Sequence, residues 1–122
     1  MSEKKIAMIG LDSSHSVCFT NLIQGSAPTG GRVEGMRVAK ALRFPSAFQS
    51  EAGQDKRQSE LEALGVEIMP DVKSALQGMD AVFLEINDPR LHLEYFEKVA
   101  SAGLPVFIDK PLADSVSNGV RM

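Results

Sequence analysis

The sequence predicts an α/β fold, a doubly wound parallel sheet in strand order 3-2-1-4-5. Two observations predict it. Short continuous apolar runs alternate with segments of helical periodicity, giving the order β-α-β-α-β-α-β-α-β. That alternation forces right-handed crossovers between parallel strands. The boundaries also carry residues that start and stop helices. Composition agrees: 122 residues, 43% hydrophobic and 24% charged, describe one soluble domain spanning 1–122.

Ile6-Ala7-Met8-Ile9 is apolar at every position and stops at Gly10, the pattern of a strand buried on both faces. Cys18, Phe19, Leu22 and Ile23 then recur at helical spacing, with Ser13 or Ser14 as N-cap. Gly25 to Gly35, with four glycines and a proline, forms a long loop. Met36 to Leu42 is the second strand, broken at Phe44-Pro45. Ser46 to Gln54 is polar and carries no clear signal. A helix is predicted over Asp55 to Leu64, closed by Gly65, and a third strand over Val66 to Met69. Asp71 caps a helix whose Val72, Ala75, Leu76 and Met79 share one face. Ala81 to Leu84 is the fourth strand. Asp88-Pro89 opens the next helix as N-cap and first helical position, with Leu93, Phe96, Val99 and Ala100 facing inward and Gly103 at its end. Val106 to Ile108 is the fifth strand, and a further helix begins after Asp114-Ser115.

Thirteen basic and 16 acidic residues leave a formal net charge of −3. This gives no electrostatic footprint for nucleic acid or an anionic membrane, and neither is expected as a partner. No apolar run approaches the roughly 18–20 residues that span a bilayer. The polar start, Met1 to Lys5, and the brief apolar run before Gly10 are too short for a secretory signal. Cys18 is the single cysteine, which excludes an internal disulfide and a cysteine-based zinc cluster. No metal site is expected, and a reducing cytoplasm is the expected location.

In a doubly wound sheet the ligand crevice lies at the carboxyl ends of the strands. The first strand-to-helix turn there offers N–H groups and a helix dipole to a phosphate. Here it reads Gly10-Leu11-Asp12-Ser13-Ser14-His15. Against the dinucleotide pattern G-x-G-x-x-G only the first glycine survives. Asp12 stands where the backbone approaches the pyrophosphate, and His15 where glycine lets helix and strand pack. Asp12 is therefore expected to turn away from the phosphates or to cap the first helix, and Asp12→Gly to tighten binding. Ser13 and Ser14 remain as donors, and His15 either faces the crevice or packs. At the end of strand two, Arg43 either pairs with a 2′-phosphate, which favours NADP over NAD, or is an ordinary solvated arginine. Gly10, Ser13, Ser14, Asn87, Asp88 and Lys110 are expected to line one crevice. Glu85 interrupts an apolar strand and faces either this crevice or solvent.

Two segments are more specific together than apart: Asn87-Asp88-Pro89-Arg90-Leu91-His92 after strand four and Asp109-Lys110-Pro111-Leu112-Ala113 after strand five. At these residues the chain resembles the N-terminal Rossmann domain of the Gfo/Idh/MocA oxidoreductases, the glucose-fructose oxidoreductase and inositol dehydrogenase family. Its members carry a Thr-Pro-Asn-x-x-His-type segment and a Glu-Lys-Pro followed by Leu-Ala at these places. The resemblance covers essentially the whole chain, with Asp109 in place of glutamate and a first turn typical of a divergent branch. It implies NAD or NADP as cofactor, His92 and Asp109 at the cofactor site, and Lys110 as the catalytic residue beside the nicotinamide and the reacting hydroxyl. There its ammonium lowers the cost of a developing alkoxide.

The substrate implied by the resemblance is a polyol, sugar or related hydroxy compound. The family also has a second α/β domain, with the substrate pocket and oligomer interface, and a sixth strand. The chain is thus expected to be a truncated cofactor domain, inactive alone and self-associating through exposed apolar residues such as Val116 and Val120. The alternative is a nucleotide-binding or sensor module that has lost hydride transfer.

Overall fold

Apolar runs of this kind satisfy their backbone by pairing and their side chains by burial on two faces. The computed structural model describes residues 2–26 and 31–122. Its five parallel strands are β1 (Lys4–Ile9), β2 (Met36–Leu42), β3 (Glu67–Met69), β4 (Ala81–Leu84) and β5 (Val106–Ile108), in the order β3-β2-β1-β4-β5. The predicted order 3-2-1-4-5 is the observed one. The helices are α1 (His15–Gln24), α2 (Glu51–Ala63), α3 (Val72–Leu76), α4 (His92–Ser101) and α5 (Val116–Arg121).

Successive residues of β1 supply opposite sides of the sheet. Ile6 and Met8 pack with Leu11, Ile23, Val38 and Leu61 under α1 and α2. Ala7 and Ile9 pack with Ala75, Leu76, Val82, Leu84 and Val99 under α3 and α4. Two cores on the two faces of one sheet are what a doubly wound topology requires. The gap in strand order between β1 and β4 is the switch point, where ligands bind in such sheets. No helix among the described residues is long and apolar enough to cross a membrane.

Several boundaries and faces differ from the sequence reading. In α1 the inward residues are Ser16, Thr20 and Ile23, while Cys18 is exposed. Two polar residues can face the core because their hydroxyls return to the backbone: Ser16 Oγ donates to the Ser13 carbonyl (2.9 Å) and Thr20 Oγ1 to the Ser16 carbonyl (2.7 Å). Helix α2 starts at Glu51 rather than Asp55, since Ser50 Oγ accepts the Gly53 N–H and caps it there. Helix α3 ends at Leu76, and Met79 is buried beyond it. Asp71 caps α3 as predicted, accepting the Ser74 N–H at 2.7 Å. Pro89 opens a 3-10 turn (Pro89–Leu91) that leads into α4, and Ala100 is exposed while His92 is buried in its place. The predicted loop over 25–35 falls partly outside the described residues.

Candidate functional site

The carboxyl ends of β2, β1, β4 and β5 are knitted together by the residues just beyond β1, β4 and β5. Gly10 N–H donates to the Leu42 carbonyl, Glu85 N–H to the Ile9 carbonyl and Asp109 N–H to the Leu84 carbonyl, at 2.9, 2.8 and 3.2 Å. The segments that follow therefore leave the sheet side by side. Gly10 has φ +101°, and a Cβ there would stand 2.9 Å from the Glu85 carbonyl oxygen. Only glycine permits both the backbone turn and this close approach.

Asp12 turns inward. Its Oδ1 accepts the Asn87 N–H (3.0 Å), its Oδ2 accepts the Ser46 hydroxyl (2.7 Å), and its own carbonyl accepts Asn87 Nδ2 (2.6 Å). The carboxylate is nearly inaccessible, at 3% exposure. It does not cap α1: the N-cap is Ser14, without a side-chain hydrogen bond, and Ser13 Oγ accepts the His15 N–H at 3.1 Å. Asp12 instead stitches the first turn to the segment after β4 and to the loop after β2. The premise that glycine at this position relieves a repulsion thus loses its basis, because the charge is already spent on two donors. Ser14 is exposed at the start of α1, whose first turn holds no acidic residue. Arg57 of α2 donates from Nη1 to the Leu11 carbonyl (3.0 Å) and brings a cation beside the same turn.

A second cluster lies between the ends of β1, β4 and β5. His15 Nδ1 is in direct contact with Asp109 Oδ2, and Asp109 Oδ1 accepts the Lys110 N–H at 2.8 Å. Glu85 faces this pair with 0% exposure, and neither of its carboxyl oxygens has a hydrogen-bond partner among the described residues. Burial, reinforced by the nearby Asp109 carboxylate, pushes the Glu85 carboxyl up to about 9. Burial also acts to raise Asp109, but its interactions with Glu85, His15 and the Lys110 N–H outweigh this and hold it below the ordinary carboxylate value. Of the two readings open for Glu85, the solvent-facing one is excluded: the carboxyl is buried against His15 and Asp109. Lys110 is exposed at the end of β5, with no side-chain partner among the described residues.

The remaining predicted residues are engaged elsewhere. Arg43 donates to Asp55 Oδ1 and Glu51 Oε2, both at 2.6 Å, and to Gln58 Oε1 at 3.1 Å. Its guanidinium is neutralised by two carboxylates from the start of α2, so it is not a free partner for a 2′-phosphate. Asp88 caps the turn after it and grips the Arg90 guanidinium; this ion pair lowers its carboxyl from the ordinary value. His92 is fully buried, its Nε2 against the Ile86 carbonyl (2.6 Å) and its Nδ1 against the Leu112 carbonyl (3.1 Å). It straps the segment after β5 to the segment after β4 rather than opening onto a ligand. Ser46 and Arg57, which the sequence reading passes over, join the first turn because a featureless loop and the polar face of a helix fold back against it.

Comparison with known proteins agrees with this fold. The model of the oxidoreductase family with the NAD-binding Rossmann fold, GFO_IDH_MocA, matches residues 30–122 and leaves the first turn outside the match. No curated protein matches the chain. Among solved structures, a dehydrogenase (MviM) from Clostridium difficile is similar with TM-score 0.72 at 23% identity, over 97% of this chain and 34% of that one. A scyllo-inositol dehydrogenase from Lactobacillus casei, solved with NAD(H) and scyllo-inositol, gives TM-score 0.68 at 24% identity over 96% and 31%. A mutant of the 3-ketoreductase KijD10 from Actinomadura kijaniata, solved with TDP-benzene and NADP, gives 0.71 at 18% over 98% and 33%. The chain thus spans about a third of the length of these structures. The family match over more than half of the chain, on a sheet of the fitting topology, makes this chain a member of the Gfo/Idh/MocA oxidoreductases, with their NAD-binding Rossmann fold.

Proposed function

We propose that the chain is the dinucleotide-holding part of an NAD-dependent dehydrogenase acting on a polyol, sugar or related hydroxy compound, and that it needs groups from elsewhere to turn over. The observation that supports it best is the inward turn of Asp12 onto Asn87 and Ser46, which takes its carboxylate away from the start of α1 beside Gly10, at the switch point where such sheets hold ligands. The exposed start of α1 suits a pyrophosphate, since the helix N-terminus favours negative charge and the Ser14 hydroxyl makes no capping hydrogen bond. Nicotinamide supplies hydride transfer; the chain's contribution is to position it and to set the exposed Lys110 ammonium where an alkoxide develops. At the end of β2, Glu51 and Asp55 hold Arg43 and set an acidic edge where a 2′-phosphate would be repelled. NAD is therefore preferred to NADP. Titration calorimetry is expected to show NADH binding at least about tenfold more tightly than NADPH, a difference of about 1.4 kcal/mol. Equal or reversed affinities contradict the assignment of that edge, and no binding of either contradicts the proposal itself. The exposed single cysteine, Cys18, suits a reducing compartment such as the cytoplasm.

Self-association belongs to the same reading. Val116 and Val120 lie one turn apart on α5 and are 85% and 81% exposed, and they line one groove with the half-exposed Leu112. Contiguous apolar surface of this kind tends to find a partner. Sedimentation is expected to show a concentration-dependent dimer or larger species that Val116→Asp with Val120→Asp returns to monomer. A wild-type monomer at high concentration contradicts it.

A further inference from the structure

Glu85, Asp109 and His15 converge from three separate segments, after β4, after β5 and at the start of α1. Each offers one donor atom, and these atoms all lie within 4.8 Å of one another. Asp109 and His15 already touch. Glu85 is the unusual member: it is fully buried, and among the described residues no donor reaches either of its oxygens, its one close polar neighbour being the Asp109 carboxylate. Burying a carboxyl without a partner costs several kcal/mol, and folds avoid it unless something compensates. A carboxylate–carboxylate–imidazole set is a nitrogen and oxygen donor set suited to borderline divalent ions, and the absence of a thiolate among the three disfavours the softest ones. Two ligands on one ion at about 2.1 Å each stand at most about 4.2 Å apart, so the cluster needs only small side-chain movement to close on an ion. His15 is partly exposed, which leaves a path for the ion to enter.

We propose that His15, Glu85 and Asp109 form a binding site for a divalent transition-metal cation of the zinc or manganese class, at the mouth of the crevice between β1, β4 and β5. The sequence reading expects no metal; the three residues are distant in the chain, and only the sheet topology unites them. The site stands independently of dinucleotide binding, so it is tested without nucleotide.

The 122-residue chain, stripped with a chelator and dialysed, is titrated with ZnCl2 and with MnCl2 by calorimetry and thermal melting. One ion per chain and a raised melting temperature are expected. Glu85→Gln, Asp109→Asn and His15→Gln are each expected to weaken binding at least about tenfold, while circular dichroism shows them folded. Cys18→Ser is expected to bind as the wild type does, which separates the site from adventitious zinc at an exposed thiol. The proposal is overturned if neither ion binds the folded wild type at millimolar concentration. It is equally overturned if Glu85→Gln and Asp109→Asn bind like wild type, or if Cys18→Ser abolishes binding. In the first case the cluster is a proton-sharing group without an ion.

Discussion

Asp12→Ala is expected to lower the free energy of unfolding by about 3 kcal/mol and to weaken dinucleotide binding rather than strengthen it. The substitution removes the acceptor for the Asn87 N–H and the Ser46 hydroxyl, in a site only 3% exposed where water cannot replace it. Hydrogen bonds to a charged group contribute about 1.5–3 kcal/mol each, and the donors left behind are partly buried. Asp12→Gly loses the same two bonds and frees the backbone of the turn as well. Asp12→Asn keeps an acceptor for Asn87 and is expected to lose about half as much. Urea denaturation and calorimetric titration of NADH read the two effects separately. Unchanged stability, or tighter binding in Asp12→Gly, contradicts the role given to this carboxylate.

The second large effect is on pH dependence, measured in chelator so that no metal intervenes. The Glu85 carboxyl, pushed up to about 9 by burial and by the facing Asp109, keeps its proton in the fold at pH values where the unfolded chain, near 4.5, has lost it. The folded state then binds more protons, so this group's contribution is most favourable below pH 4.5 and falls as pH rises to about 9. By pH 7 the loss amounts to up to about 3 kcal/mol, at about 1.4 kcal/mol per unit. Glu85→Gln cannot ionise and is expected to remove most of this slope, ending more stable than wild type at pH 8 and above. Thermal melts of both proteins between pH 5 and 9 test it. Parallel profiles contradict the burial of a protonated acid at this position.

The fold was legible because its signals are local. Ile6–Ile9 and Ala81–Leu84 are apolar at every position, and Asp71, Gly65 and Gly103 mark boundaries by their own backbone chemistry. The errors have a common cause. Ser16 and Thr20 face the core where Cys18 was expected, because a hydroxyl that bonds its own helix is no longer polar to its surroundings. Ser50 starts α2 inside a stretch without hydrophobic periodicity. Gly10, Asn87 and Lys110 could be placed at the strand ends from the sequence alone. The inward turn of Asp12, the pairing of Arg43 with Glu51 and Asp55, and the meeting of His15, Glu85 and Asp109 could not. Each depends on side chains from segments that only the sheet order β3-β2-β1-β4-β5 makes neighbours.

The central claim is that a dinucleotide lies across the switch point between β1 and β4, against the first turn and the segments after β4 and β5. Amide chemical-shift mapping in a titration of the isotope-labelled chain with NADH tests it most directly. The account predicts the largest shifts at Gly10, Ser13, Ser14, Asn87 and Lys110, with the exposed face of α5 unchanged. Shifts confined to other surfaces, or none at saturating NADH, contradict it.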